Sequence, residues 1–416
     1  MTARTPAPIR NWAGTITFGA DMLHRPASIG ELRSLVSRQH RVKVLGTGHS
    51  FNRIADTGGA LVSVRELPRL LELDTDRALV RLSAGLRYGE LTEFLNRHGF
   101  ALANLGSLPH ISVAGACATG THGSGDRNGV LATAVRAQQL VTGDGELLEL
   151  SAAEPDFDGT VIHLGALGVV TELTLGLLPA FEIRQYVYDG LAFAELIEHF
   201  DEILGASYSV SLFTRWQGTG QVWLKSAEPR EDGPFFGARP ADRPRHPIPG
   251  GEIGSATQQL GVPGPWQQRL PHFRLEFTPS HGEEIQSEYF LDRTQAEPAI
   301  EVIRSMADRL APVLLIGEIR TVAADRLWLS PCYLRDRVAF HFTWAREAEL
   351  VAGVVAELEA RLAPLGAVPH WAKNFSTPPA RLAELHPRLA DFAALARRYD
   401  PAGTFGNDFL NRNVLG

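Results

Sequence analysis

The run Gly46-Thr47-Gly48-His49-Ser50 places a histidine inside a glycine loop. An aliphatic stretch, residues 41–45, reads as a strand that breaks into this loop. Glycine lets a backbone come close to a ligand, and successive N–H groups in such a loop can cradle an anion. A loop that only had to turn would not need an imidazole. Much later in the chain, Glu318 and Arg320 are two apart in the apolar run 313–321, and His341 and Thr343 are two apart in 338–345. The two-residue period of a strand puts each pair on one face, with Val338, Phe340, Phe342 and Trp344 on the other. Two such strands side by side could line a pocket for a molecule with several hydroxyls. Taken alone, the pattern is better explained by a cross-strand salt bridge on a solvated face, which is common and carries no function.

A second glycine-rich stretch, residues 106–125, reads GSLPHISVAGACATGTHGSG. Its small residues, Gly115 among them, and its hydroxyls Ser107, Ser112, Thr119 and Thr121 suit a segment that wraps closely along an extended ligand. By itself it reads slightly better as a small-residue turn packed on a helix; paired with the His49 loop, the ligand reading wins. Neither stretch is a dinucleotide fingerprint or a P-loop, because the G-x-G-x-x-G context and the G-K-[ST] ending are missing. A third glycine-punctuated apolar run, 163–171, contains Gly168 and Val170.

The elements that must position these residues can be read in outline. Ser28-Ile29-Gly30-Glu31 has the form of a capping box ahead of a helix that runs to about Gln39. Residues 61–64 and 79–82 read as strands, and 90–98 as a helix stopped by Gly99. Residues 138–142 and 147–150 flank Gly143-Asp144-Gly145 as a hairpin, and 173–178 is a strand ended by Pro179. Beyond residue 180, strands are expected at 208–216, 221–224, 274–277 and 313–321. Helices are expected at 193–204, 296–310 and 347–362, giving an antiparallel sheet with helices on one face. Residues 226–271 form a long stretch dense in Pro, Gly and Arg, a length usually functional or mobile. A last helix is expected at 388–398. There is no internal repeat.

The chain has 416 residues, 44% hydrophobic and 21% charged, with a net charge of −7, values of a soluble protein of two or three domains. No long basic run favours nucleic acid, no apolar stretch is long enough to span a bilayer, and residues 1–14 lack the apolar core of a secretory signal. Two cysteines, Cys117 and Cys332, supply neither a disulfide framework nor metal-ligand spacing, so no metal is expected and a reducing, cytoplasmic setting is. Lysine is nearly absent: Lys43, Lys225 and Lys373 are the three in the chain, against abundant arginine.

Taken together, GTGHSF at 46–51, SLPHISVAGACATGTHGSG at 107–125, GALGVVT at 165–171, GEIR at 317–320, HWAK at 370–373 and FGNDF at 405–409 resemble the FAD-dependent oxidases of the vanillyl-alcohol oxidase superfamily, in the sugar-alcohol and aldonolactone oxidase branch. The motifs occur in that family's order and span nearly the whole chain. The first two are specific together; GEIR and HWAK are weak singly. The resemblance implies an α+β fold: a two-lobed FAD-binding domain over 1–180, a cap domain with a large antiparallel sheet flanked by helices over 181–368, and a segment over 369–416 that returns to the FAD domain. It implies FAD bound by Gly46, Thr47, Gly48, His49, Ser50, Ser107, Ser112, Gly115, Thr119, Thr121, Gly168 and Val170, with His49 joined covalently to the flavin 8α-methyl carbon. A neutral imidazole nitrogen is a competent nucleophile for that carbon.

The same resemblance implies that Ser107, Glu318, Arg320, His341, Thr343 and Lys373 hold a small polyol. Arg320 and Lys373 would stabilise alkoxide character and Glu318 would orient them. The expected reaction oxidises a terminal primary alcohol of an alditol such as xylitol or sorbitol to the aldose, with O2 reduced to H2O2, in a monomer. Gly106 leaves room for dioxygen and favours oxidase over dehydrogenase. Cys117 reads as a small buried residue, His122 as a loop hydrogen-bonder near the cofactor, and Tyr289 as packing. The rivals are an aldonolactone oxidase or dehydrogenase on the same scaffold and a flavin-binding protein without turnover.

Overall fold

A computed structural model describes residues 8–277 and 284–416. The reading of residues 1–14 as free of a secretory signal lies partly outside the described residues. The first part of the chain builds two sheets of different kind. A parallel sheet orders Leu23–His24, Ala60–Val62 and Val42–Val44, and the last of these feeds the His49 loop. An antiparallel sheet orders Leu71–Asp74, Leu79–Ser83, Val169–Gly176, Val135–Val141 and Leu147–Ser151. The expected hairpin is present, with Gly145 at φ +84°. Helix Ile29–Val36 is capped by Ser28, whose Oγ accepts from the Glu31 amide, and buries Leu32 and Val36 against these sheets.

The chain then enters an antiparallel sheet, nine-stranded among the described residues. Its centre runs Gly220–Ser226, Ser209–Thr214, Leu314–Val322, Arg337–Ala345, Glu284–Asp292. One face, including Leu212, Ile319, Phe340, Phe342 and Trp344, packs on helices Phe193–Glu198, Ala296–Ser305 and Ala348–Leu362 and forms a core of its own. The other face carries the polar residues two apart, as the period of the strands requires. Residues 368–416 join the core of the first sheets through Trp371, Phe392, Phe405 and Leu410.

Several elements differ from expectation. Residues 274–277 form a turn rather than a strand: the Arg274 amide bonds back to Ser255 and the Phe277 amide to Arg274, and they pair with no strand among the described residues. The expected helix 193–204 breaks at His199 into Phe193–Glu198 and Phe200–Leu204, and 296–310 breaks at Met306 into Ala296–Ser305 and Ala307–Leu310. Two long strands, Glu182–Leu191 and Glu284–Asp292, lie outside the runs expected from sequence. The stretch 226–271 has little regular structure. It is nevertheless anchored, with Ala256, Ala241 and Ile248 packed on Phe213, Trp223 and Ile316 of the sheet.

Candidate active site

The His49 loop and the polar face of the large sheet look into one continuous cleft. On the loop side, Gly48 has φ +72°, and the Trp12 amide bonds its carbonyl at 2.8 Å. A Cβ on Gly46 would stand 2.5 Å from Ser112 Oγ, and one on Gly115 would stand 2.7 Å from the same atom. Glycine at both positions therefore lets the two glycine-rich stretches meet, and the Ser112 amide closes the junction by donating to Thr47 Oγ1 at 3.3 Å. His49 stacks on Trp12, ring centres 4.8 Å apart, and its Nδ1 is buried without a hydrogen-bond partner. Burial pushes the His49 imidazole down to about 4, and the nearby Lys373 charge adds to this, so the ring is neutral at pH 7.

On the sheet side, register fixes the chemistry. Phe213, Glu318, His341 and Glu288 lie in one cross-strand row over four adjacent strands. Two residues along, Thr343 pairs with Gln286. Arg320 donates through Nη2 to Glu288 Oε1 and holds Nε 3.6 Å from Glu318 Oε1. His122 Nε2 also reaches Glu288 Oε1, at 3.1 Å, and His341 Nδ1 lies 3.6 Å from Glu288 Oε2. His341 Nε2 meets Thr343 Oγ1 at 3.2 Å. Burial raises the pKa of both carboxylates, but Arg320, then histidine neighbours, overcome this and hold Glu288 and Glu318 well below the usual carboxylate range. Burial opposes the Arg320 charge as well; Glu318 and Glu288 outweigh it and raise the guanidinium pKa.

Lys373 closes the third side. The Phe51 amide donates to the Ala372 carbonyl at 2.7 Å, and Asn52 Nδ2 donates to the carbonyls of Trp371 and Lys373. The Asn374 amide donates to Gln286 O, so the segment is pinned between loop and sheet. Lys373 Nζ donates to Gln286 Oε1. Burial pushes its ammonium down to about 8, against the raising effect of Glu288. All three lysines of the chain are withdrawn from water to some degree: Lys43 and Lys225 are fully buried, Lys373 partly.

Every residue that the sequence singled out for cofactor or substrate lines this cleft. On the loop side these are Gly46 to Ser50, Ser107, Ser112, Gly115, Thr119, Thr121, Gly168 and Val170. Glu318, Arg320, His341, Thr343 and Lys373 stand opposite. His122 is a loop hydrogen-bonder as expected, and its partner is Glu288. Cys117 is buried, 3.7 Å from the Tyr88 hydroxyl, and Tyr289 packs in the sheet core with its hydroxyl donated to Glu359. Sequence reasoning did not find Glu288, Gln286, His272 or Asn52. The first two had a signal, because Glu284, Gln286 and Glu288 alternate with Ile285, Ser287 and Tyr289. His272 and Asn52 had none, since each acts through a contact that only the fold makes.

Comparison with known proteins places this geometry. The chain is 50% identical over 412 residues, 98% of its length and 99% of the relative's, to alditol oxidase of Streptomyces sp. (strain IKD472 / FERM P-14339). The chain belongs to the alditol oxidase family. Within that family it is an FAD-dependent oxidoreductase: an FAD binding domain model matches residues 20–151, and a D-arabinono-1,4-lactone oxidase model matches 281–413. More distant relatives include L-gulonolactone oxidase of Scyliorhinus torazame, 28% identical over 97% of this chain and 98% of the relative. The fold is shared with cholesterol oxidase of B. sterolicum, at a TM-score of 0.80 and 14% identity over 98% of this chain and 96% of that one. The cleft suits FAD on its own terms. Its walls are kept close by glycines, two glycine-rich loops line it, and the unpartnered His49 Nδ1 is an atom that a bound group could satisfy.

Proposed function

We propose that the enzyme oxidises the terminal primary alcohol of an acyclic polyol such as xylitol or sorbitol to the aldose, with dioxygen reduced to hydrogen peroxide. The carrying observation is the wall opposite His49. It presents two ionised carboxylates, a guanidinium, an imidazole and a hydroxyl on strands whose other faces are locked in a hydrophobic core, with the Lys373 ammonium beside them from the turn after Pro369. Such a surface suits a ligand with a hydroxyl on each carbon, since every group can trade hydrogen bonds with one. Bound FAD supplies the acceptor for the hydride that leaves the alcohol carbon and returns the electrons to dioxygen.

The protein's own residues do the rest. Lys373 donates to the reacting hydroxyl oxygen and stabilises negative charge as it develops there. Arg320 adds positive charge from the adjacent strand, and its fork is held by Glu288 and Glu318 so that it costs little reorganisation. Glu318 accepts from a substrate hydroxyl, His341 and Thr343 set the register of the rest of the polyol, and Ser107 borders the reacting end. His49 is the covalent anchor for the cofactor: its ring is neutral, hence nucleophilic, and its Nδ1 has no competing partner. The domains divide as 1–180 for FAD, 181–368 for the substrate cap and 369–416 returning to the FAD side. We take the enzyme as a cytoplasmic monomer; two unpaired buried cysteines suit a reducing compartment, and size-exclusion chromatography checks the monomer.

The test is direct. Anaerobic xylitol should bleach the flavin of the purified holoenzyme, and admission of air should yield peroxide. A flavin that xylitol and sorbitol both leave oxidised would end this reading. The lactone oxidase model over 281–413 and the L-gulonolactone oxidase relative favour one alternative, oxidation of an aldonolactone. Comparing kcat/KM for xylitol with that for a γ-lactone decides between them.

A further inference from the structure

Behind Glu318 lies a second, buried chain of polar groups. Lys225 Nζ donates to the Leu270 carbonyl and stands 3.3 Å from His272 Nδ1. His272 Nε2 stands 2.9 Å from Glu318 Oε1, with Ser211 Oγ 3.4 Å away. Lys225 sits on Gly220–Ser226, two strands from Glu318, while His272 arrives from the end of the long 226–271 stretch. That stretch is tied down at this point: the Thr257 amide donates to the His272 carbonyl at 2.9 Å and Thr257 Oγ1 to the Pro271 carbonyl at 2.8 Å. The rings of Phe213 and Trp223 close on the imidazole edge-on, at 5.2 and 5.5 Å between centres. The ring's polar directions are thus limited to Lys225 on one nitrogen and Glu318 with Ser211 on the other.

Proton inventory then fixes the tautomer. Burial pushes the Lys225 ammonium down to about 7, yet charged or neutral its Nζ keeps a proton for Nδ1 besides the one given to the Leu270 carbonyl, and the ionised Glu318 on the other side can only accept, so Nδ1 accepts from Lys225. Burial, then the Lys225 charge, pushes the His272 imidazole down to about 4, so it carries one proton. That proton is on Nε2 and is donated to the carboxylate. We propose that Lys225 and His272 are positioning residues for substrate binding: Lys225 sets the His272 tautomer, and His272 holds Glu318 by Oε1, leaving Oε2 for a substrate hydroxyl. Arg320 Nε approaches the same Oε1, which keeps the division of the two oxygens consistent. A lysine at a fully buried sheet position is expensive if it only fills space, where methionine would pack without desolvating a charge. In this chain arginine serves nearly everywhere else, but its larger planar fork is suited to bidentate pairing, whereas lysine is a compact donor.

The proposal rests on the reading that Glu318 binds the polyol, and the experiment separates the two. Steady-state kinetics with xylitol are measured on flavin-loaded holoenzyme for Lys225→Met, His272→Leu, His272→Gln, Glu318→Gln and the Lys225→Met/Glu318→Gln double variant. Lys225→Met and His272→Leu should raise KM about tenfold, the loss of one hydrogen bond to a charged group, with kcat changed much less. His272→Gln keeps a donor near Nε2 and should recover most of the KM. In the Glu318→Gln background, Lys225→Met should add almost nothing, because its effect runs through that carboxylate. If Glu318→Gln raises KM while Lys225→Met leaves it within about twofold, or if the two effects simply multiply, the inference fails and the polyol reading survives. An unchanged KM in Glu318→Gln overturns both. Should Lys225→Met yield no holoenzyme, the two His272 variants decide alone: equal KM values for Leu and Gln overturn the inference.

Discussion

The Asn52 side-chain amide donates to the main-chain oxygens of both Trp371 and Lys373, at 2.7 and 2.8 Å, three residues beyond His49. One asparagine thereby ties the loop that carries His49 to the segment that carries Lys373. The bond crosses more than three hundred residues of sequence, and it sets the distance across which the proposed chemistry takes place.

Asn52→Ala should uncouple the two. Removing the amide leaves two carbonyls without their donor and frees the Lys373 segment to shift. Turnover should fall by about a hundredfold, the usual cost of a small misplacement at a reacting centre, while flavin content stays near stoichiometric. Stopped-flow flavin reduction with saturating xylitol measures it. Reduction at the wild-type rate would show that the segment is held adequately by its remaining bonds, Phe51 to Ala372 and Asn374 to Gln286 among them.

His49→Ala should lose the covalent bond to flavin without losing the fold. The ring contributes one stacking contact with Trp12 and no hydrogen bond through Nδ1, so little of the loop depends on it. Acid-denatured wild type should carry flavin fluorescence on the polypeptide in a gel, and the variant should release its flavin to the supernatant. Wild-type protein without bound fluorescence would remove the covalent assignment.

The Lys373 ammonium gives a pH prediction with a definite sign. Its pKa is depressed to about 8, so the charge is present below that value and lost above it. Because the proposed role requires the cation, kcat/KM for xylitol should fall as pH rises through about 8. Lys373→Met should abolish that limb and lower turnover by about two to three orders of magnitude, the scale of losing one preorganised donor. A rate that instead climbs above pH 8 would assign Lys373 as a base.

Arg320→Ala differs from Lys373→Met in what it leaves behind. Glu288 and Glu318 would remain buried without their guanidinium, with only histidine partners left, a loss of about 3–5 kcal/mol. Thermal denaturation should show a clear drop in Tm for Arg320→Ala, together with loss of turnover, and a much smaller drop for Lys373→Met. Equal Tm values would mean that the carboxylates find other partners.

Gly106 tests access of dioxygen. A Cβ there would meet Ile111 and Thr121 no closer than 3.7 Å, so alanine fits and a β-branched side chain fills the space beyond. Gly106→Val should slow reoxidation of reduced flavin by air while leaving anaerobic reduction by xylitol within about threefold. Undiminished peroxide production would rule out this route for oxygen.

Much of the site was legible because strand periodicity is a local property. Glu318 with Arg320, and His341 with Thr343, share a face by spacing alone, and the aromatic residues between them had to be core. The loop glycines were legible too, since a Cβ at Gly46 or Gly115 has nowhere to go. Glu288 escaped because its strand was not recognised, although its alternating acids and amides were visible. His272 and Asn52 escaped for a different reason. Their roles lie in contacts across 46 and 321 residues of sequence, to Glu318 and Lys373, and no local pattern encodes such a partner.

By itself, then, the sequence determined which faces of which strands are polar, where the backbone must be bare, and that a histidine sits in a glycine loop. These follow from residue type and period. Only the tertiary structure decided that Glu318, His341 and Glu288 form one row, that Arg320 joins both carboxylates, and that all of them face His49. Register between strands depends on how the whole sheet packs its hydrophobic face, and that is a property of the assembled core rather than of any one segment.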